Sequence, residues 1–170
     1  LRVLRMNVEV SGTEHVRGLT ERYCIVANHF SYFDWVLLLG YFPASLSFIA
    51  KREITFMPVF GSYLRNRGVL IDRKRGATAR KVIAQAAEDW PWPLVIFPEG
   101  TRSEDGEMQK FRRAGIRILA EAGLIMVPCN LLGTHHALGK RDRAIKRGQT
   151  IKLEILPPID PKELGAEEAC

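Results

Sequence analysis

The chain has 170 residues, 46% of them hydrophobic and 26% charged, and its formal net charge is +6. This composition is that of an ordinary globular protein and excludes a disordered or fibrous chain. The length fits one domain, residues 1–170, that buries roughly two-thirds of the surface its unfolded form exposes. The longest apolar run, Trp35 to Ala44, is far shorter than the ~20 residues that a membrane-spanning helix needs. A membrane-anchoring segment upstream of Leu1 is compatible with a sequence that does not begin with Met.

Short apolar runs alternate with helical patterns along the chain. The predicted strands are 2–10, 23–27, 45–50, 68–73, 94–97, 124–127 and 151–156. The predicted helices are 32–39, 77–89, 114–122 and, capped by Thr55, 56–65. This alternation predicts an α/β domain with a central, largely parallel or mixed sheet flanked by helices. A Pro-rich, acidic stretch follows the last strand, and we expect loose order at its end.

Positive charge is concentrated in two stretches. Lys51 to Lys81 carries nine Lys or Arg against two acids, and Lys140 to Lys152 carries six against one. Such patches attract anions, and anionic lipid headgroups, phosphorylated small molecules and nucleic acid all fit, as does a solvated face without a partner. The aromatic residues are embedded in apolar runs and not interleaved with the basic ones, so we do not expect nucleic acid as a partner.

Polar residues directly follow the predicted strand 23–27. His29 lies at the strand end, Ser31 is placed to cap the next helix, and Asp34 occupies the capping-box position three residues later. Asp34 also lies about one helical turn beyond His29, so its carboxylate can accept a proton from one ring nitrogen while the other nitrogen faces a cleft. The pair then forms an oriented base. A helix cap beside an ordinary loop histidine is the alternative for the pair taken alone.

Three further polar clusters fall at predicted strand ends. Lys51 and Arg73 each follow a strand, and residues 99–102 lie in the loop after the strand 94–97. In parallel sheets, ligands gather at the carboxyl ends of the strands, so these clusters and His29 should face one edge. A base beside several cations suits deprotonation of a hydroxyl on a substrate that carries a phosphate or a similar anion.

The loop after residue 97 contains the parts of an anion site. Gly100 lets the backbone approach a ligand closely, Thr101 and Arg102 add donors, and Arg73 could hold a phosphate with two hydrogen bonds. A surface salt bridge to a glutamate of this loop is the alternative for both arginines. Glu99 could orient Arg102, bind a substrate hydroxyl or support the turn.

A covalent enzyme intermediate and a metal site are not indicated. The chain has no Gly-x-Ser-x-Gly sequence, and its three cysteines show no zinc-type spacing. Cys24 and Cys129 lie in apolar runs, where a thiolate is disfavoured, and are expected to be small buried hydrophobes in a reducing compartment. Direct transfer of a group is therefore the simpler proposal.

Several blocks of sequence together resemble the glycerolipid acyltransferase family. Residues 28–34 match its His-x4-Asp signature, and residues 97–103, Phe-Pro-Glu-Gly-Thr-Arg-Ser, match a second hallmark. Residues 50–54, 68–73 and 127–128 resemble further blocks in the same order, so that the resemblance covers about residues 23–130. The resemblance implies the α/β fold of glycerol-3-phosphate acyltransferases.

The resemblance also implies a reaction. An acyl group would pass from an acyl-CoA or acyl-carrier-protein thioester to the sn-2 hydroxyl of 1-acyl-sn-glycerol-3-phosphate, giving phosphatidate. By the same resemblance, His29 is the general base and Asp34 its orienting partner. The implied acceptor-phosphate site consists of Arg73, Glu99, Gly100, Thr101 and Arg102, with Lys51 as a weaker contributor. The family's Phe-Lys-x-Gly stretch is matched with one extra residue, which leaves a role for Arg112 or Arg113 open.

Because the thioester already carries an activated acyl group, the resemblance implies no metal or organic cofactor. Both substrates carry long chains and call for a groove or a membrane-facing surface. Such a surface could come from Phe56, Met57, Val59, Phe60, Trp90 and Trp92, with a core-packed helix face as the alternative for the first four. The expected partner is an anionic membrane, at its cytoplasmic face. The functional alternatives are an acyltransferase for glycerol-3-phosphate or another lysolipid, and a non-catalytic module that binds anionic membranes.

Overall fold

The computed structural model describes residues 4–163. Its strands are β1 Asn7–Ser11, β2 Tyr23–Ala27, β3 Ser47–Lys51, β4 Val69–Ile71, β5 Leu94–Ile96, β6 Ile125–Leu132 and β7 Thr150–Ile155. Its α-helices are α1 Phe33–Tyr41, α2 Phe60–Arg67, α3 Gly76–Asp89, α4 Arg113–Glu121 and α5 Thr134–Ala137. Two short 3-10 helices cover Thr13–His15 and Arg52–Phe56. The strands form one seven-stranded sheet in the order β1-β7-β6-β2-β5-β3-β4.

The sheet is mixed. Strands β6, β2, β5, β3 and β4 run parallel, whereas β7 is antiparallel to β6 and β1 is parallel to β7. The five parallel strands therefore bring their carboxyl ends to one edge, which we call the carboxyl edge. The α/β fold class predicted from the sequence is confirmed.

Side chains on successive strand residues point to opposite faces of the sheet, and both faces of the central strands are covered. In β2, Cys24 packs with α3 and α4, whereas Ile25 packs with α1 and α2. In β3, Phe48 joins the α1–α2 layer and Ile49 the α3–α4 layer. Two buried faces favour apolar residues at every position of these strands, which appear in the sequence as apolar runs. β7 alternates instead, because only one of its faces is buried.

The helix predicted over 56–65 is displaced in the structure. A 3-10 helix occupies Arg52–Phe56, and α2 begins only at Phe60. The Thr55 hydroxyl donates to the carbonyl of Arg52 at 2.7 Å, so it closes the 3-10 turn and does not cap an α-helix. Between the two helices, Val59 has a φ of +62°, a left-handed conformation that is unfavourable for a β-branched residue and interrupts helical geometry.

The other predicted elements differ mainly at their ends. β6 continues beyond residue 127 to Leu132, pairing first with β2 and then with β7. β1 is the predicted edge strand, but it covers Asn7–Ser11, and residues 2 and 3 of the prediction lie outside the described residues. The expected loose order at the end of the chain concerns residues 164–170, which also lie outside them. α5 was not predicted.

Candidate active site at the carboxyl edge of the sheet

His29 and Asp34 are in direct contact. Nδ1 of His29, just beyond β2, lies 2.9 Å from Oδ2 of Asp34 in the first turn of α1. Asp34 is fully buried, whereas the His29 side chain is 19% exposed. Because a carboxylate only accepts hydrogen bonds, the contact favours a proton on Nδ1, and in the neutral ring Nε2 is then the nitrogen with a lone pair. A neutral imidazole with an available Nε2 can take a proton from a hydroxyl group.

The Asp34 carboxylate is fixed by the backbone that precedes α1. Oδ2 also accepts hydrogen bonds from the N–H groups of Phe30 at 2.7 Å and Ser31 at 2.8 Å. The bond from Ser31 is half of the predicted capping box. Tyr32 occupies the N-cap position instead of Ser31, whose hydroxyl accepts from the N–H of Phe33 at 3.0 Å and donates to the carbonyl of Leu138. Asp34 thus holds both the imidazole and the turn that carries it.

The loop after β5 fixes His29 from the other side. Its N–H donates to Oε1 of Glu99 at 2.9 Å, and its carbonyl accepts from the N–H of Ser103 at 2.9 Å. The imidazole stacks on the ring of Phe97, with 4.1 Å between ring centroids. Main chain and ring are therefore both positioned before any ligand binds.

The Glu99 carboxylate points toward the protein backbone. It is almost fully buried, its two oxygens accept hydrogen bonds from the N–H groups of His29 and Gln109, and it does not line the cavity beside His29. Burial raises the pKa of Glu99, and the two backbone hydrogen bonds oppose that rise. In this structure the Glu99 carboxylate therefore holds the main chain of His29, and its implied contact with the acceptor phosphate stays a prediction.

Asn28 is a site residue that sequence reasoning left without a role. Its amide nitrogen donates to the carbonyl of Leu131 at 2.9 Å, and its amide oxygen accepts from the N–H of Leu131 at 2.7 Å. This pair of bonds joins the end of β2 to β6. The signal in the sequence was the position of Asn28 directly before His29. Its hydrogen-bond partner, Leu131, is 103 residues away along the chain.

Two predicted arginines lie beside the loop after β5. Arg73 donates through Nη1 to the carbonyl of Gly100. Burial, and then the nearby positive charge of Arg112, lower the pKa of Arg73. Arg102 stacks over the ring of Tyr32, with Cζ 3.6 Å from the ring centroid. Within residues 4–163, Nη1 of Arg102 is buried without a hydrogen-bond partner, and neither arginine forms an ion pair, so the salt-bridge alternative is not observed.

Gly100 has a φ of +72°, a conformation that disfavours any other residue. A Cβ atom there would lie 3.3 Å from Nη1 of Arg73 and 3.4 Å from Nε of Arg112. Arg112 is thereby identified as the second cation beside Gly100, whereas Arg113, the first residue of α4, is not among the nearest neighbours of this position. Two guanidinium groups converge on this glycine.

Lys51 is at the predicted strand end, but its ammonium group is engaged. Nζ lies 3.1 Å from Oε1 of Glu53. Thr101 is exposed, and its hydroxyl accepts from Nζ of Lys140 at 3.4 Å, while Glu104 pairs with Lys140 and Arg141. These contacts hold the outer part of the loop.

One cavity of about 280 Å³ brings most of the predicted residues together. It is lined by His29, Lys51, Arg73, Gly100, Thr101 and Arg102, and by the apolar residues Trp35, Phe48, Ile54, Met57, Phe60 and Phe97. We call it the His29 cavity. A larger cavity of about 580 Å³ lies at the amino edge of the sheet, around Trp90 and Trp92, and contains none of these residues. The His29 cavity therefore combines a base, cations and an apolar wall.

The expected interfacial patch is only partly present. Phe56 is 87% exposed and Val59 79% exposed, whereas Phe60 is buried. Trp90 and Trp92 precede β5 and lie at the amino edge, where Trp90 donates to the hydroxyl of Ser47. The two tryptophans therefore cannot join a patch beside the site. No helix in residues 4–163 has the length and hydropathy needed to cross a bilayer.

The cysteines behave as expected where they are described. Cys24 and Cys129 are buried and unpaired, and Cys170 lies outside the described residues. Burial raises the pKa of Cys24, and it raises the pKa of Cys129 to about 12. A thiolate at either position is strongly disfavoured.

The sheet is a mixed α/β sheet. At its carboxyl edge, an aspartate contacts a histidine, and arginine side chains lie beside Gly100. The family model described as Acyltransferase matches residues 7–132, and the chain belongs to this acyltransferase family.

Individual members of the family are similar to this chain over most of its length. The chain is 31% identical to 1-acyl-sn-glycerol-3-phosphate acyltransferase of Limnanthes alba over 90% of its length, and 30% identical to the human alpha enzyme over 96%. These matches cover 54% and 58% of the relatives, so the chain spans little more than half of their length. The crystal structure of the 1-acyl-sn-glycerophosphate acyltransferase PlsC from Thermotoga maritima matches with a TM-score of 0.84 and 32% identity, over 98% of this chain and 66% of that one.

Proposed function

We propose that this chain transfers an acyl group from a thioester to the sn-2 hydroxyl of 1-acyl-sn-glycerol-3-phosphate, giving phosphatidate. The observation that carries the proposal is the contact between Nδ1 of His29 and Oδ2 of Asp34, beside a cavity lined by His29 and by cationic side chains. The relatives from Limnanthes alba and human, both 1-acyl-sn-glycerol-3-phosphate acyltransferases, support the same acceptor.

In the proposed reaction, Nε2 of His29 takes the proton of the sn-2 hydroxyl while the hydroxyl oxygen attacks the carbonyl carbon of the thioester. The tetrahedral intermediate collapses, the carbon–sulfur bond breaks, and the leaving thiolate receives the proton from His29. The imidazole thus returns to its neutral form, and Asp34 stabilises the imidazolium that exists in between. The acyl group is already activated, so the step requires no metal or organic cofactor.

The acceptor phosphate is proposed to bind Arg73 and Arg102, with the Gly100 backbone and the Thr101 hydroxyl beside it. Guanidinium groups match phosphate with paired hydrogen bonds, and the unused Nη1 of Arg102 is a donor in need of an acceptor. Lys51 contributes positive charge from the wall of the cavity, although its bond to Glu53 makes it a weaker ligand. The donor is an acyl-CoA or an acyl-carrier-protein thioester.

The test is thiol release from an acyl-CoA, with and without 1-acyl-sn-glycerol-3-phosphate, for the wild type and His29→Ala. We expect acceptor-dependent release that falls by about 10²–10⁴ in His29→Ala, as is typical for loss of a general base. His136→Ala is the matched control, because His136 is an exposed histidine outside the cavity. Equal rates in wild type and His29→Ala would reject the mechanism. Acylation confined to glycerol-3-phosphate or to a lysolipid without a phosphate would select one of the alternative acceptors.

We further propose that the carboxyl edge docks on an anionic membrane, at its cytoplasmic face. Phe56 and Val59 project from the segment that also supplies Met57 to the His29 cavity, and they are too exposed to serve the core. Exposed Arg52 lies in the same 3-10 helix as Phe56, and Arg65 donates to the carbonyl of Thr55. Apolar side chains flanked by cations are the composition of an interfacial anchor.

This docking is tested by flotation with vesicles of phosphatidylglycerol or of phosphatidylcholine. We expect Phe56→Ser to lower the partition constant on phosphatidylglycerol vesicles by about tenfold or more, since burying one aromatic side chain contributes about 1.5–3 kcal/mol. Val10→Ser, on the edge strand β1, is the control and should bind like the wild type. Equal binding of Phe56→Ser and wild type would exclude this surface, and salt-sensitive binding without any thiol release would favour a non-catalytic membrane module.

A further inference from the structure

A second cavity adjoins the site on the opposite face of the sheet. It has a volume of about 290 Å³ and lies between α3 and α4. Its floor and walls are apolar, from Ile71, Ile83, Ile96 and Ile118. We call it the α3–α4 slot. The reaction proposed above places no part of either substrate in its apolar interior.

The slot exists because small residues face each other across the two helices. Gly76 and Ala79 of α3 and Ala114 and Gly115 of α4 line it. A Cβ atom at Gly115 would lie only 2.6 Å from Cδ1 of Ile96, so α4 sits as close to β5 as a glycine permits. Larger side chains at these positions would close the slot.

The mouth of the slot carries positive charge. Arg73, Arg80 and Arg112 line it, and within residues 4–163 none of the three forms an ion pair. An apolar slot with a mouth of unpaired cations is complementary to an amphiphile that has a hydrocarbon chain and an anionic head.

The slot and the His29 cavity meet at a shared wall. Ile49, Arg73, Phe97 and Gly100 line both. Phe97 is also the ring on which His29 stacks. A phosphate held at Arg73 and Gly100 would therefore lie at the boundary, with His29 on one side and the slot on the other.

We propose that the α3–α4 slot binds the sn-1 acyl chain of 1-acyl-sn-glycerol-3-phosphate, with the phosphate at Arg73 as proposed above and Arg112 as an additional cation at the mouth of the slot. This inference rests on the proposed function. Both substrates of that reaction carry a long chain, and each of the two cavities lies just below the roughly 300–1,000 Å³ of an ordinary ligand pocket. The slot takes the acceptor chain, and the His29 cavity is left for the thioester and the reacting hydroxyl.

The experiment measures binding without turnover. Calorimetry gives the Kd of 1-oleoyl and 1-hexanoyl lysophosphatidate, below their micelle-forming concentrations, for the full chain. Ala114→Phe fills the slot from an exposed position, and Ala77→Phe, exposed on α3 outside the slot, is the matched control. We expect Ala114→Phe to weaken oleoyl binding at least about tenfold, since each displaced methylene costs about a factor of four, and to leave hexanoyl binding unchanged. Ala114→Leu should act in the same direction.

The positive charge at the mouth of the slot is tested separately from the acyl-chain contact. Arg112→Gln should weaken binding of both chain lengths by the same factor, because it acts on the phosphate. Unchanged oleoyl binding in both Ala114 variants would overturn the proposal, as would a raised KM for palmitoyl-CoA with oleoyl binding intact. The chain-length pattern in a protein that releases no thiol would support the slot and reject the transfer reaction. Thiol release in a protein whose binding shows no chain-length effect would support the transfer reaction and reject the slot.

Discussion

The two halves of the site differ in how they are held. The His29 half has a hydrogen bond for the imidazole, two for the main chain of His29 and two more that fix Asp34. In the arginine half, Arg73 has one bond to a backbone carbonyl and no carboxylate partner within residues 4–163, and Arg102 keeps a buried nitrogen unbonded. His29 and Oδ2 of Asp34 are held by hydrogen bonds in advance, although Oδ1 of Asp34, like Nη1 of Arg102, is buried without a hydrogen-bond partner in the described part of the chain. Substitutions should accordingly cost stability and rate in the first half, and substrate binding in the second.

Asp34→Asn should have the largest effect and provides the strongest test of this contrast. Without the carboxylate, the tautomer and charge of His29 are no longer stabilised, so kcat should fall by about 10²–10⁴. The bonds to Oδ2 also lose their charge, and the free energy of unfolding should drop by about 1–3 kcal/mol. Steady-state kinetics and urea unfolding measure the two losses. Asp89→Asn, at an exposed position at the end of α3, should change neither.

Arg73→Gln tests the second half and should have an intermediate effect. We expect KM for lysophosphatidate to rise about 10–100-fold, the value of about 1.5–3 kcal/mol for a hydrogen bond to a charged group. Stability should stay the same or rise, because the substitution removes a partly buried charge that faces Arg112. Kinetics and thermal unfolding of Arg73→Gln are compared with Lys81→Gln, which removes an exposed charge. A lower kcat at unchanged KM would show that Arg73 does not hold the acceptor.

Glu99→Gln should have the smallest effect of the three substitutions. It tests how the His29 half of the site is held, through the pH dependence of the free energy of unfolding. Burial raises the pKa of Glu99, so the folded chain keeps this proton at pH values where the unfolded chain has lost it. Its contribution to stability is therefore complete below the ordinary value of 4.5 and declines as pH rises through the raised pKa. Urea unfolding across this range should show the decline in wild type and in the exposed control Glu107→Gln, but not in Glu99→Gln. Parallel curves for all three would mean that Glu99 ionises as if unburied.

The central strands of the sheet were predictable because both of their faces are buried. Strands such as β2 and β5 are continuous apolar runs, and polar residues placed directly after them reach the carboxyl edge in any parallel sheet. The same rule could have corrected the placement of Trp90 and Trp92, since a loop that leads into β5 must lie at the amino edge. The start of α2 could not be predicted, because the left-handed φ of Val59 opposes its own conformational preference.

Within the site, local sequence indicated the contact between His29 and Asp34 because both residues lie within one turn. It gave no indication that Glu99 turns inward to the main chain of His29, which depends on how the loop after β5 packs. The bonds of Asn28 to Leu131 and of Ser31 to Leu138 join residues 103 and 107 positions apart. Such bonds follow from the tertiary fold, and no spacing in one sequence specifies them.

These distant bonds also bear on how the protein folds. His29 is held by Glu99, 70 positions away, and β2 pairs only with strands that come much later in the chain. Contacts between residues so far apart form late, because closing a long loop costs entropy before the contacts can offset it. In a nascent or refolding chain, the hydrogen bonds that hold His29 are therefore incomplete until β5 and β6 have docked on β2. In a refolding experiment, regained catalysis should never precede the regained tertiary signal, so activity reports on the completed fold.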